Sequence, residues 1–117
     1  MQHEDRIRVT HMLDACQSVL NFSNGKSRQD LAIDEMFQFA LVRAIEIIGE
    51  AAGRVSQETQ LRFPEIPWRE AVGIRNRLVH AYFDVDLDVL WKTVQESIPE
   101  LRRLLANLLA VSDQTNS

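Results

Sequence analysis

The chain has 117 residues, 45% of them hydrophobic, which suits one folded domain over 1–117 and excludes a disordered chain. Its 13 basic and 17 acidic residues leave a net charge of −4, which excludes a protein that coats nucleic acid over its whole surface and requires any such site to be a local concentration of positive charge. The lone cysteine, Cys16, excludes an intrachain disulfide; residues 1–8 are too polar for a secretory leader, no apolar run nears the ~20 residues of a membrane span, and a cytoplasmic location is expected.

In chain order, Val9, Met12, Leu13, Cys16, Val19 and Leu20 recur at three- and four-residue steps and predict a first helix, with Cys16 in the core. Ser23, Asn24 and Gly25 end it with turn chemistry. Asp30 is placed to cap the next helix, because its carboxylate can accept from free backbone N–H groups. That second helix carries one apolar stripe of Ile33, Met36, Phe37, Ala40, Leu41, Ala44, Ile48, Ala51, Ala52 and Val55. Ile45 and Ile47 widen it, so neighbours are expected on more than one side. Gly49 and Gly53 are four residues apart and allow another helix to approach closely.

Residues 56–67 read as a connector with room for one short turn, punctuated by Pro64 and Pro67; Pro67 suits the first turn of a new helix. Trp68, Ala71, Val72, Leu78 and Val79 continue a helical stripe towards Phe83. Asp84 and Asp86 interrupt it, and either can cap the last helix. There Leu87, Leu90, Trp91, Val94, Ile98, Leu101, Leu104, Leu105 and Leu108 form the stripe, and Pro99 within it predicts a kink near Gln95 or a break. Residues 112–117 are polar and expected to fray. The expected fold is all-α: an up-and-down bundle of four to five helices.

The chemistry concentrates in residues 75–83, where Arg75, Asn76, Arg77, His80 and Tyr82 fall within nine positions and Leu78 and Val79 anchor the run to the core. A guanidinium is permanently charged and its fork matches phosphate oxygens. An imidazole moves protons near neutral pH. Together they suffice to cleave RNA without metal: one group takes the 2′-hydroxyl proton, another protonates the leaving oxygen, and a fixed cation stabilises the phosphorane. On a straight helix Arg75 and His80 point about 140° apart. Either the helix ends or distorts near His80, or a second subunit completes the site, a symmetric dimer supplying two imidazoles. On the residues alone, a solvent-facing Arg75 and a His80 that favours a helix dipole stand beside the catalytic reading.

Other constellations carry less. Asp84, Asp86 and Asp88 have the spacing that opens a calcium loop, but Val89 stands where its glycine belongs and Gln95 where its twelfth-position acid belongs, so capping explains those acids better. Glu46 and Glu50 share a helix face with no Glu-x-x-His beside them, which argues against a di-iron bundle. Glu46 either orients Arg75 or His80 from a neighbouring helix or is an ordinary exposed acid. No metal or other cofactor is expected.

The run RNRLVH (75–80) resembles the Arg-x4-6-His signature of HEPN domains, including the polar Asn76 after the arginine. IRNRLVHAYFDVDLDVLW (74–91), AIEIIGEAAGRVS (44–56) and SIPELRRLL (97–105), in that order, are similar to the corresponding stretches of HepT-like proteins, the toxin half of HepT–MNT toxin–antitoxin pairs. The resemblance implies a dimeric bundle with a cleft at the interface and metal-independent RNA cleavage by Arg75 and His80, with Asn76 and Arg77 in support. It also implies an MNT-type nucleotidyltransferase antitoxin that silences the toxin by adenylylating Tyr82, where an ordinary half-buried aromatic is the alternative. Two other functions stand beside the ribonuclease: a catalytically silent HEPN module that dimerises and binds the nucleotidyltransferase, and a plain helical adaptor.

Overall fold

Helix α1, His3–Ser23, buries Val9, Met12, Cys16 and Val19 as its spacing requires. Ser23 Oγ turns back to the Val19 carbonyl (2.8 Å), and Gly25 takes a left-handed φ of 75° that a side chain would resist. These features come from a computed structural model, which describes residues 1–79 and 84–115.

The expected second helix is two. Helix α2 is Arg28–Ile33 and helix α3 is Glu35–Ala52. Asp30 is not the cap: Ser27 is, and Asp30 closes a capping box with it, accepting from the Ser27 N–H at 2.8 Å. Asp34 caps α3 by accepting from the Phe37 N–H (3.1 Å). Because the chain bends at Asp34, Ile33 and Met36 leave the stripe they were assigned to and are 77% and 76% exposed. From Phe37 to Val55 the stripe is buried as expected, with Ala40 half-buried, and Ile45 is fully buried with it.

The connector contains helix α4, Gln57–Arg62, capped by Ser56. Pro67 is the residue before helix α5, Trp68–Val72. Gly73 separates α5 from helix α6, Ile74–Leu78, so the expected run from Trp68 to Phe83 is broken and then ends early. Val79 and Val85 form an isolated antiparallel bridge, reinforced by the Asp86 N–H donating to the Leu78 carbonyl (2.8 Å). Asp86 caps helix α7, Leu87–Lys92. A π-helical turn, Thr93–Ser97, joins α7 to helix α8, Ile98–Thr115. The wide turn sits where Pro99 would otherwise press on the Gln95 carbonyl, so the expected disturbance is a π-turn. Helix α8 continues into the segment read as frayed: Ser112 is buried, and Asp113 pairs with Arg6.

The architecture is an all-α bundle, as expected, but the count of four to five helices is too low. The described residues contain eight α-helical segments and the π-turn, because caps and glycine divide stripes that periodicity alone reads as continuous. Helix α1 packs between α3 and α8. It is antiparallel to both: Asp5 near its start meets Ser56 beyond the end of α3, and Arg6 meets Asp113 late in α8. No described helix is long and apolar enough to cross a membrane.

Two buried polar groups lie on α1. Burial pushes the Cys16 thiol up to about 12, so it stays protonated and behaves as a small apolar side chain. Asp5 is 4% exposed and accepts from the Ser56 N–H (2.9 Å), the Ser56 hydroxyl and the Thr59 hydroxyl (2.6 Å). Burial pushes its carboxyl up, but these hydrogen bonds together outweigh burial and hold it below the ordinary 3.8. With the folded value depressed, the stabilisation is complete above the unfolded value and is lost as pH falls through the folded one. Asp5→Ala should therefore cost about 2–4 kcal/mol at pH 7. Urea unfolding at pH 7 and pH 3 checks this: the gap between variant and wild type should narrow at the lower pH.

Candidate active site

Helix α6 is short, and three neighbours fix its position. Ile74 and Leu78 are buried and hold one side of it to the core. Gly73 ends α5, its N–H donating to the Arg69 carbonyl (3.1 Å). Gly49 on α3 lets the α5 backbone come close: a Cβ there would meet the Ala71 and Val72 carbonyl oxygens at 3.1 and 3.2 Å. The close approach read from the glycine pair is thus made at Gly49, while Gly53 ends α3.

That crossing brings Glu46, one turn before Gly49, to α6. Arg75 Nε lies 3.2 Å from Glu46 Oε1, with the arginine side chain 42% and the glutamate 25% exposed. Of the two roles left open for Glu46, the structure selects contact with Arg75. Arg43 joins from one turn earlier on α3, its Nη1 3.5 Å from Glu46 Oε2 and 3.2 Å from Glu50 Oε1. Its part was missed in the sequence, although three- and seven-residue offsets to two acids on a helix are a readable signal. The cluster is two guanidiniums and two carboxylates with solvent on one side.

Asn76 is exposed beside Arg75. Arg77 points elsewhere: its Nη2 donates to the Glu70 carbonyl (3.1 Å), at the rim of an apolar groove formed with Ile74, Ile98, Leu101 and Leu104. The groove does not include Arg75, so the two arginines of α6 do not converge. Helix α6 ends before His80, the first of the two ways out of the 140° problem; the straight-helix angle does not apply. His80 and Tyr82 follow Val79 in sequence and lie outside the described residues.

Among the described residues, no three His, Cys, Asp or Glu side chains gather as a metal site would need. Two of the three acids of the Asp84, Asp86 and Asp88 run have other partners: Asp86 caps α7, and Asp88 accepts from Arg28 of α2 through Nε and Nη2 (3.1 and 2.9 Å).

An all-α bundle in which a short helix presents Arg75, the first residue of an Arg-x4-His run, is consistent with the HEPN class of domains. The chain belongs to the HepT-like family of that superfamily: the family model described as "Ribonuclease HepT-like" matches residues 12–108. It is 42% identical over 102 residues to a probable ribonuclease HepT of Thermococcus cleftensis, covering 87% of this chain and 93% of that one. It is 36% identical to a putative RNase of Methanocaldococcus jannaschii over 79% of this chain and 84% of the relative. A putative RNase of Caldanaerobacter subterraneus is 34% identical over 86% and 90%. No solved structure matches the chain.

Proposed function

We propose that the chain is a metal-independent endoribonuclease, the toxin of a toxin–antitoxin pair, acting as a homodimer with Arg75 and His80 as its catalytic residues. The observation that carries this is the HepT-like match across 12–108, which contains an intact Arg-x4-His run whose arginine is held by Glu46. The imidazole of His80 takes the proton of an RNA 2′-hydroxyl, and the freed oxygen attacks the adjacent phosphorus. The bond to the 5′-oxygen breaks and that oxygen is protonated by a second acid, the His80 imidazolium of the other subunit. Arg75 stabilises the negative charge that collects on the non-bridging oxygens, while Asn76, exposed beside it, supports the bound strand; Arg77 points to the Glu70 carbonyl instead and could meet only a more distant phosphate. The net charge of −4 confines attraction for RNA to local cationic clusters such as this run.

The expected product is a 2′,3′-cyclic phosphate or the 3′-phosphate it hydrolyses to, and EDTA should leave the rate unchanged. Incubating the pure protein with RNA, with and without chelator, and identifying the ends by mass spectrometry tests this. Loss of cleavage on chelation with recovery on adding magnesium would overturn the mechanism. The second reading, a catalytically silent module that dimerises and binds a nucleotidyltransferase, draws on the same ion pair, because a carboxylate at Arg75 competes with phosphate. Intact binding to that partner with no cleavage of any RNA would favour it.

The antitoxin in this reading is an MNT-type nucleotidyltransferase that transfers AMP from ATP to the Tyr82 oxygen. The phenol oxygen attacks the α-phosphorus, pyrophosphate leaves, and the phenolic proton is released.

A further inference from the structure

Arg8 on α1 and Arg54, in the turn after α3, border one hollow on the surface of the bundle. His11, Ile47, Glu50 and Ala51 complete its lining, and its volume is about 80 Å³. We propose that this hollow is a second phosphate site, in which Arg8, Arg54 and His11 hold a backbone phosphate of an RNA strand that also passes Arg75. The proposal rests on the ribonuclease reading and deepens it.

Three observations carry it. The first is charge. Arg6, Arg28, Arg75 and Arg103 each face a carboxylate, and Arg43 faces two. Among the described residues Arg8 and Arg54 face none. Glu50 is the one acid of the lining, and Arg43 holds it at 3.2 Å. The hollow therefore keeps a surplus of positive charge on a chain whose net charge is −4. Two unpartnered guanidiniums beside one hollow attract an anion, and their planar forks match phosphate oxygens.

The second is the lining itself. Three donor-bearing side chains from two elements meet at a small hollow, and a neutral imidazole still donates through one ring N–H. The apolar part of the lining is limited to Ile47 and Ala51, which gives a hydrophobic partner little surface to bury. Arg8 is half-buried, so its guanidinium is restrained beside the hollow.

The third is continuity with the candidate site. Glu50 lines the hollow and meets Arg43, Arg43 meets Glu46, and Glu46 meets Arg75. Glu46 and Arg54 lie ~12 Å apart along α3 at the rise of a helix, a gap that one or two nucleotides of an extended strand cross. The two carboxylates between them are neutralised only in part by Arg43. A strand is therefore gripped at the two cationic ends and bridges the middle.

The test uses a labelled single-stranded RNA carrying 2′-O-methyl groups, which has no free 2′-hydroxyl to attack. Arg8→Gln with Arg54→Gln should weaken its binding at least tenfold by fluorescence anisotropy. The variant should also flatten the slope of log Kd against log salt by about 0.7, the contribution of one single-strand phosphate contact. Circular dichroism should show the fold intact. Arg28→Gln with Arg103→Gln removes the same charge elsewhere and should change affinity less than twofold. Arg8→Lys with Arg54→Lys should restore the slope but only part of the affinity, because an ammonium lacks the fork. On a cleavable RNA the glutamine variant should raise KM about tenfold and leave kcat within twofold. A wild type that does not bind the RNA overturns the site. So does a glutamine variant that binds it unchanged, also where that variant no longer holds ATP or a nucleotidyltransferase, which would assign the hollow to another anion. A loss equal to that of the Arg28 and Arg103 control overturns it as bulk charge. A wild type that binds through Arg8 and Arg54 yet cuts no RNA overturns the ribonuclease reading and leaves the site standing. A wild type that cuts RNA, beside a glutamine variant that binds equally well, overturns the site and leaves that reading.

Discussion

Arg75→Ala is expected to lower the rate of RNA cleavage by about 10²–10³-fold, the usual cost of removing one preorganised group that stabilises transition-state charge. His80→Ala should lose about 10²–10⁴-fold, the range for a general acid–base group. The arginine loss will not be unfolding in disguise. Its side chain is 42% exposed and, among the described residues, its ion pair reaches a glutamate that keeps Arg43 as a partner, so the stability cost should stay within about 1 kcal/mol. Glu46 separates positioning from bulk charge. Glu46→Gln keeps an acceptor for the Arg75 guanidinium and should retain most of kcat, whereas Glu46→Ala leaves Arg75 unheld and should lower kcat more than it raises KM. Single-turnover cleavage of a defined RNA by the four variants, each checked for its thermal midpoint, decides the matter. Wild-type rates in Arg75→Ala would remove the arginine from the mechanism.

The second large effect is expected at Tyr82. Treated with the cognate nucleotidyltransferase, ATP and magnesium, the protein should lose cleavage nearly completely as AMP accumulates on this tyrosine. The added phosphate would bring negative charge and bulk two residues in sequence from His80, where the proposed mechanism puts the RNA phosphate, so repulsion and occlusion should act together. Tyr82→Phe keeps the ring and removes only the acceptor oxygen. It should cut RNA as the wild type does and stay active after the same treatment. Because a partner can also silence the toxin by covering it, the measurement belongs on protein repurified away from the enzyme. Peptide mass spectrometry gives the decisive reading: an unmodified Tyr82 peptide from fully inactivated protein would show that silencing takes another route.

Much of the molecule can be read from local pattern. The helical periods of α1, α3 and α8 are in the order of residues, because one buried face every 3.6 residues is a local constraint. So are the aspartate cap at Asp86 and the glycine at position 49, where a missing side chain announces a close crossing, whereas pattern alone points to Asp30 as the cap of α2, which is Ser27. The HepT-like stretches were legible in the same way, and the family match agrees with them. Period alone does not say whether a neighbour covers the apolar side. Ile33 and Met36 continue the α3 stripe in sequence, yet face solvent once Asp34 turns the chain. Nor does it say where a stripe is cut, as at Gly73 and Leu78.

What only the tertiary structure decided are contacts between residues distant in sequence. Asp5 lies in a stretch that its sequence marks only as polar, yet it is buried, because the cap and first turn of α4 close over it with two hydroxyls and an amide. Glu46 reads as an exposed acid or a partner of the motif, and the crossing at Gly49 makes it the partner of Arg75. The physical reason is common to both. A helix period records which faces are apolar, whereas a polar contact between helices depends on their crossing point and rotation, which the packed core sets as a whole.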